Sequence, residues 1–150
     1  MKPRLFLCLL LTLQSIPGCK STPPQVAGKW HAAGQLTATY STTLSPKPRT
    51  QSAPADITLV LMQTRNAVQG EASVILFKDS AYRIPIRTGV VNLNGTVNLE
   101  GDSNSMLSKA HFSFDGKTAD GKMTGTVGFG FSNVGGAVDS KGEMAFALAQ

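Results

Sequence analysis

From Trp30 to Leu148 the larger apolar residues recur at every second position, in runs separated by short stretches containing Gly, Asn and Asp. A period of two sends successive side chains to opposite faces, so each run buries one face of a β-strand and leaves the other to water. Trp30, Ala32, Gly34, Leu36, Ala38 and Tyr40 form the first row. Ile57, Leu59 and Leu61 form the second, with Val60 and Met62 on its other face. Val68, Gly70, Ala72, Val74 and Leu76 follow, then residues 84–93 and 95–99. The C-terminal third repeats the pattern in Ala110, Phe112 and Phe114, in Met123, Gly125, Val127, Phe129 and Phe131, and in Met144, Phe146 and Leu148. No stretch beyond residue 18 carries a helical period over a useful length.

Sequential strands with short connections make an antiparallel up-and-down meander, and eight of them close most readily into a barrel. Closure also removes an exposed edge: the run from Glu143 to Gln150 is long and apolar, and unpaired it would template aggregation. The expectation is an all-β, single-domain, eight-stranded barrel over residues 26–150, with the Trp30–Tyr40 strand beside Glu143–Gln150. Asn94-Gly95 reads as a type I′ hairpin turn, because both central positions of that turn need positive φ. Asp115-Gly116 reads as a turn as well, and Asp120-Gly121 sits just ahead of the next strand.

Gly28-Lys29-Trp30 resembles the Gly-x-Trp opening of lipocalins and related calycin-like barrels, and avidin-like barrels share it. The resemblance implies a Trp30 that plugs the closed end of a barrel. It is partial: Asp79-Ser80-Ala81-Tyr82 only faintly matches the second lipocalin motif, no C-terminal helix follows, and the later tryptophans of avidins are missing.

The N-terminus carries a second resemblance. Met1-Lys2-Pro3-Arg4 precedes an apolar run, Leu5 to Leu13, which suits a signal-peptide core but falls short of the ~20 residues needed to span a bilayer. Ile16-Pro17-Gly18-Cys19 then resembles the cleavage site of bacterial lipoproteins, with Pro17 where Ala, Ser or Thr is usual. The resemblance implies a signal peptide over 1–18, acylation of Cys19, a polar tether over 19–25 and a membrane partnership through the lipid. With Lys20 rather than Asp after the cysteine, it implies the outer membrane of the cell envelope. The alternative is an ordinary cleaved secretory signal, which would leave Cys19 a lone thiol.

The formal charge is +5, of which Lys2 and Arg4 supply two, leaving +3 for residues 19–150. That mild, dispersed excess carries no recognisable nucleic-acid module. Cys8 and Cys19 are the only cysteines, so the body of the chain has no disulfide and no thiolate metal site. His31 and His111 both fall on the face opposite the apolar row, and no ligand spacing accompanies them. Cofactor-binding and nucleophile motifs are missing. Metal, cofactor and catalytic residues are therefore all expected to be none, and the protein is expected not to be an enzyme.

Two binding expectations remain. An eight-stranded barrel has room for its own side chains or for one small ligand. Leu36, Tyr40, Leu59, Leu61, Phe112, Phe129 and Phe146 are the expected contacts for an apolar small molecule. Residues 41–55 read as one long Pro-containing connection, placed by the lipocalin resemblance to act as a lid, with Lys47 and Arg49 available to an anionic partner. The leading expectation is a non-catalytic, lipid-anchored barrel that binds an apolar small molecule. The alternative is a protein-interaction module, such as an inhibitor of a secreted protease or lysozyme, acting through its rim.

Overall fold

The computed structural model describes residues 22–45, 47–78 and 81–149. Eight strands follow one another: β1 (Gly28–Thr42), β2 (Arg49–Thr64), β3 (Ala67–Leu76), β4 (Tyr82–Val91), β5 (Thr96–Asn104), β6 (Ser108–Ala119), β7 (Lys122–Asn133) and β8 (Gly136–Leu148). Each pairs antiparallel with the next, and β8 returns to pair with β1, closing the barrel. The closing register sets Trp30 opposite Leu148 and His31 opposite Ala147, then resumes from Thr37 opposite Lys141 to Thr42 opposite Gly136. The expected neighbours are therefore joined, and no strand is left with an open edge.

The period of two decides which way each row faces. Trp30, Ile57, Leu59, Val74, Leu99, Phe112, Phe114, Val127 and Phe146 point inward and are buried in one continuous core. Phe114 and Phe146 meet edge to face, with ring centroids 5.5 Å apart. The opposite row, including His31, Asp56, Glu71, Glu100, His111 and Asp115, is exposed on the outer wall. Apolar inside and polar outside is the reverse of a membrane-spanning barrel, whose lipid-facing row must be apolar. In β4 the row changes parity, from Ile84 and Ile86 to Gly89 and Val91. A bulge causes this: the pairing with β5 shifts by one residue between Ile86 and Thr88. Leu148 departs from its row. It ends β8 half exposed, against Gly28, where a β-carbon would stand 3.1 Å from its Cδ2.

Three local expectations are corrected. Residues 41–55 are not one connection: β2 begins at Arg49, and only residues 43–48 join it to β1. Ala53 and Ala55 are fully or nearly buried, so the alternation was present but carried by alanines too small to stand out. Pro54 sits inside the strand without breaking it. Its carbonyl accepts a bond from the Phe77 N–H, on the side where β3 has already ended. The missing N–H of a strand proline faces that same side, so no ladder bond to β1 is lost.

Asp115-Gly116 lies in mid-strand, not in a turn; β6 turns at Asp120-Gly121, both with positive φ. Asn94-Gly95 does mark a hairpin, but Gly95 alone of the two has positive φ (82°), and it closes on Asn92 in a longer connection than type I′ allows.

Gly116 faces Gly125 across the β6–β7 ladder. A β-carbon on Gly125 would lie 2.3 Å from the Asp115 carbonyl oxygen, and one on Gly116 would lie 2.7 Å from the Phe114 ring. The glycine pair lets two strands and an aromatic ring occupy the same layer. Among the described residues the core comes entirely from residues 26–146 and every strand is paired on both sides, so the barrel carries what a unit needs to fold on its own. Gly125→Ala is expected to destabilise it by ~1–3 kcal/mol through overpacking, read from the urea unfolding midpoint. An unchanged midpoint would mean that the two strands do not approach this closely.

Candidate functional site

The barrel offers three places where chemistry could happen: its interior, its outer wall and its two ends. The interior is occupied. Leu36, Leu59, Leu61, Phe112, Phe129 and Phe146, expected as contacts for an apolar ligand, are all buried members of the core. The mouth above them is closed by aromatic packing. Tyr82 lies with its ring 5.3 Å from that of Phe129 and 4.6 Å from that of Phe131, and Ala110 and Val138 pack beside them. At the other end Trp30, 1% exposed, donates from Nε1 to the Val26 carbonyl at 2.8 Å. Val26 is itself buried and donates to Gln63 Oε1 at 2.7 Å. Trp30 thus plugs its end as the lipocalin resemblance implied.

Gln63 also donates to the Pro24 carbonyl (3.1 Å) and the Arg65 carbonyl (2.7 Å), so the chain is docked on the barrel from about Pro24 onward. The stretch expected as a free tether is therefore shorter than residues 19–25. Cys19 lies outside the described residues, as do Asp79 and Ser80 of the faint second motif.

The outer wall holds a trough of about 780 Å³ that runs across β5–β8 and onto β1. Gly128 and Gly130, at outward positions of β7, form its floor. A β-carbon there would stand 2.6 Å from Ser113 Oγ and 2.8 Å from Asp139 Oδ1 respectively. The outward Gly128-x-Gly130 at period two is the sequence signal for this floor. The trough's polar groups are largely committed to cross-strand partners. Asn98 Nδ2 donates to Asp115 Oδ1 at 3.0 Å, His111 Nδ1 stands 2.9 Å from Asp102 Oδ1, and the Thr126 hydroxyl donates to Glu143. On the far wall His31 Nε2 lies 3.1 Å from both oxygens of Asp56. All four members of these His–Asp pairs are about half exposed or more, where such pairs contribute only ~0–1 kcal/mol. Both histidines point outward, as expected. Among the described residues no three His, Cys, Asp or Glu side chains gather as metal ligands do.

The rim at the β1–β2 connection does bring expected residues together. Tyr40, Lys47 and Arg49 line one cleft of about 160 Å³ with Ser41, Thr42 and Ser45. Arg49 reaches it as the first residue of β2, opposite Tyr40, rather than as part of a loop. Tyr40 is half-buried at the mouth, not inside it. The connection folds on itself through reciprocal backbone bonds between Thr42 and Ser45, and Thr43 donates to the Gly135 carbonyl of the β7–β8 connection. It is too short and too tied to its neighbour to cross the mouth, so the expected lid is not there. Two cations and several hydroxyls around a small cleft can hold an anion.

No family model and no curated protein matches the sequence.

The expected ligand contacts behave as core side chains. Phe112→Ala is expected to lower stability by ~3–5 kcal/mol, measured by denaturant unfolding. A loss below ~1 kcal/mol would reveal a void beside the ring.

Proposed function

We propose that the chain is a non-catalytic, lipid-anchored binding module of the cell envelope and not a carrier: it engages its target through the exposed rim rather than through an internal ligand site. The observation that carries this is the destination of the apolar residues. The inward rows, with Trp30 at one end and the Tyr82–Phe131 cluster at the other, are spent on a packed core. Leu44, Met106, Leu107 and Val134 instead project from the connections at the mouth end. Apolar side chains held in water at loop tips contribute nothing to the fold, and such groups mark interaction sites when they cluster.

A non-catalytic role is supported by how the polar groups are set. Asp102, His111 and Ser113 lie near one another on the wall, an assortment reminiscent of a nucleophile, base and orienting acid. The Ser113 hydroxyl, however, leans toward Gly128 on β7, while His111 turns to Asp102 on β5. The His111 and Asp102 side chains are also half or more exposed, in a wall that excludes no water.

Anchoring is supported by the lipoprotein-like Ile16-Pro17-Gly18-Cys19. One acyl chain binds membranes only marginally, whereas the two or three chains of a lipoprotein hold a domain stably. With the chain docked on the barrel from Pro24, little free spacer separates Cys19 from the Trp30 end, so the mouth end faces away from the anchoring leaflet.

Two measurements test this. The native protein is expected to partition into a detergent phase and Cys19→Ser to remain in the aqueous phase; identical partitioning would remove the anchor. A photocrosslinker installed at Leu44 or Met106 is expected to trap a neighbour in the envelope, and one at Glu71 on the wall is not. Equal adducts from wall and rim, or none from the rim, would contradict a rim-directed module.

A further inference from the structure

The connections alternate between the two ends of the barrel. The β1–β2, β3–β4, β5–β6 and β7–β8 connections lie at the mouth, and the β2–β3, β4–β5 and β6–β7 connections lie at the Trp30 end. Every mouth connection displays a large apolar side chain: Leu44, Phe77, Met106 with Leu107, and Val134. Leu44 is 97% exposed and Met106 is fully exposed. Phe77 and the adjacent Lys78 both hold positive φ, 56° and 62°. That region is a genuine outlier for a bulky residue, so the turn keeps an aromatic ring partly in water at a conformational cost where glycine would fold more easily.

The same end is cationic. Within two residues of these connections stand Lys47, Arg49, Lys78, Arg83 and Lys109, all exposed, against one carboxylate of the sequence, Asp79, which lies outside the described residues. Beside Leu44, the cleft of Tyr40, Thr42, Ser45, Lys47 and Arg49 can take an anionic oxygen group. Apolar tips on four separate turns, three of them with a cation within three residues, match a surface that is apolar a few ångströms below a layer of negative charge. We infer that the mouth end is a docking surface for an anionic phospholipid bilayer. Leu44, Phe77, Met106, Leu107 and Val134 enter the headgroup–acyl boundary, while Lys47 and Arg49 hold a lipid phosphate. A second copy of the chain does not fit, because rim-to-rim contact would set these cations against their own duplicates. The Trp30 end, where the chain enters the barrel, is opposite, so an anchored molecule would present this crown to an apposed bilayer. The inference goes beyond the anchored-module reading and does not need Cys19 to be acylated.

The test uses the unacylated barrel, residues 22–150, sedimented with vesicles of phosphatidylglycerol and phosphatidylethanolamine or of phosphatidylcholine alone. Binding to the anionic vesicles is expected, at least tenfold weaker on phosphatidylcholine and falling with added salt. K47Q/R49Q is expected to weaken binding by roughly tenfold or more and to flatten its salt dependence. L44S/M106S/L107S is expected to weaken it at least as much, whereas V60S/M62S, which removes exposed apolar groups from the outer wall, leaves it unchanged. These side chains are exposed, so the variants should share the parent's thermal unfolding midpoint, which is checked alongside. No binding to anionic vesicles would overturn the inference, including the case in which rim crosslinkers trap a protein instead. Equal binding to phosphatidylcholine, or equal loss in V60S/M62S, would overturn it too.

Discussion

The pairing of β1 with β8 is the contact on which the rest of the molecule depends. It joins the first and last strands of the described chain, and without it the meander would be an open sheet with two long unpaired edges. With it, every inward row faces another inward row, and the apolar surface of the strands is removed from water in one cluster. The requirement is long-range: Trp30 must find Leu148 and Thr37 must find Lys141 before the core is sealed. Such a topology folds slowly relative to helical proteins, because loop closure precedes the burial that compensates for it.

Closure also divides the labour among the surfaces. The interior takes the apolar residues, and aromatic packing at the mouth and Trp30 with Val26 at the base fill both ends. The wall takes short polar side chains that bond across strands, as in Asn98 with Asp115 and Ser52 with Gln35. The connections at the mouth are left with apolar side chains that the core does not use. The two ends differ in degree. The Trp30 end has the docked chain entry and one exposed apolar tip, Leu93, whereas every connection at the mouth end carries such a tip. In the proposed reading, recognition falls to the connections because they carry side chains that the core did not require.

The architecture was legible because its signal is periodic and long. Rows such as Phe112–Phe114 and Met123–Phe131 could be assigned to the inside from the residues alone, and the apolar last strand demanded a partner. Composition misled where it competed with period. Residues 49–55 carry prolines, hydroxyl residues and alanines, so they resembled a loop, although Ala53 and Ala55 kept the alternation. Asp115-Gly116 resembled a turn because the close approach of Gly116 to Gly125 calls for the same residue type as a turn does. The site was less legible. An inward apolar residue looks the same in sequence whether it lines a cavity or fills one, and only neighbours such as Tyr82 against Phe131 decide it. The crown was hidden for another reason: Leu44, Phe77, Met106 and Val134 are far apart in sequence and meet at one end only after the strands alternate.

The most direct measurement of the central claim, a filled barrel that works from its surface, is native mass spectrometry of the protein recovered gently from its host. The account predicts the mass of the polypeptide and its covalent modifications alone. A stoichiometric apolar passenger that is released only when the barrel unfolds would contradict it.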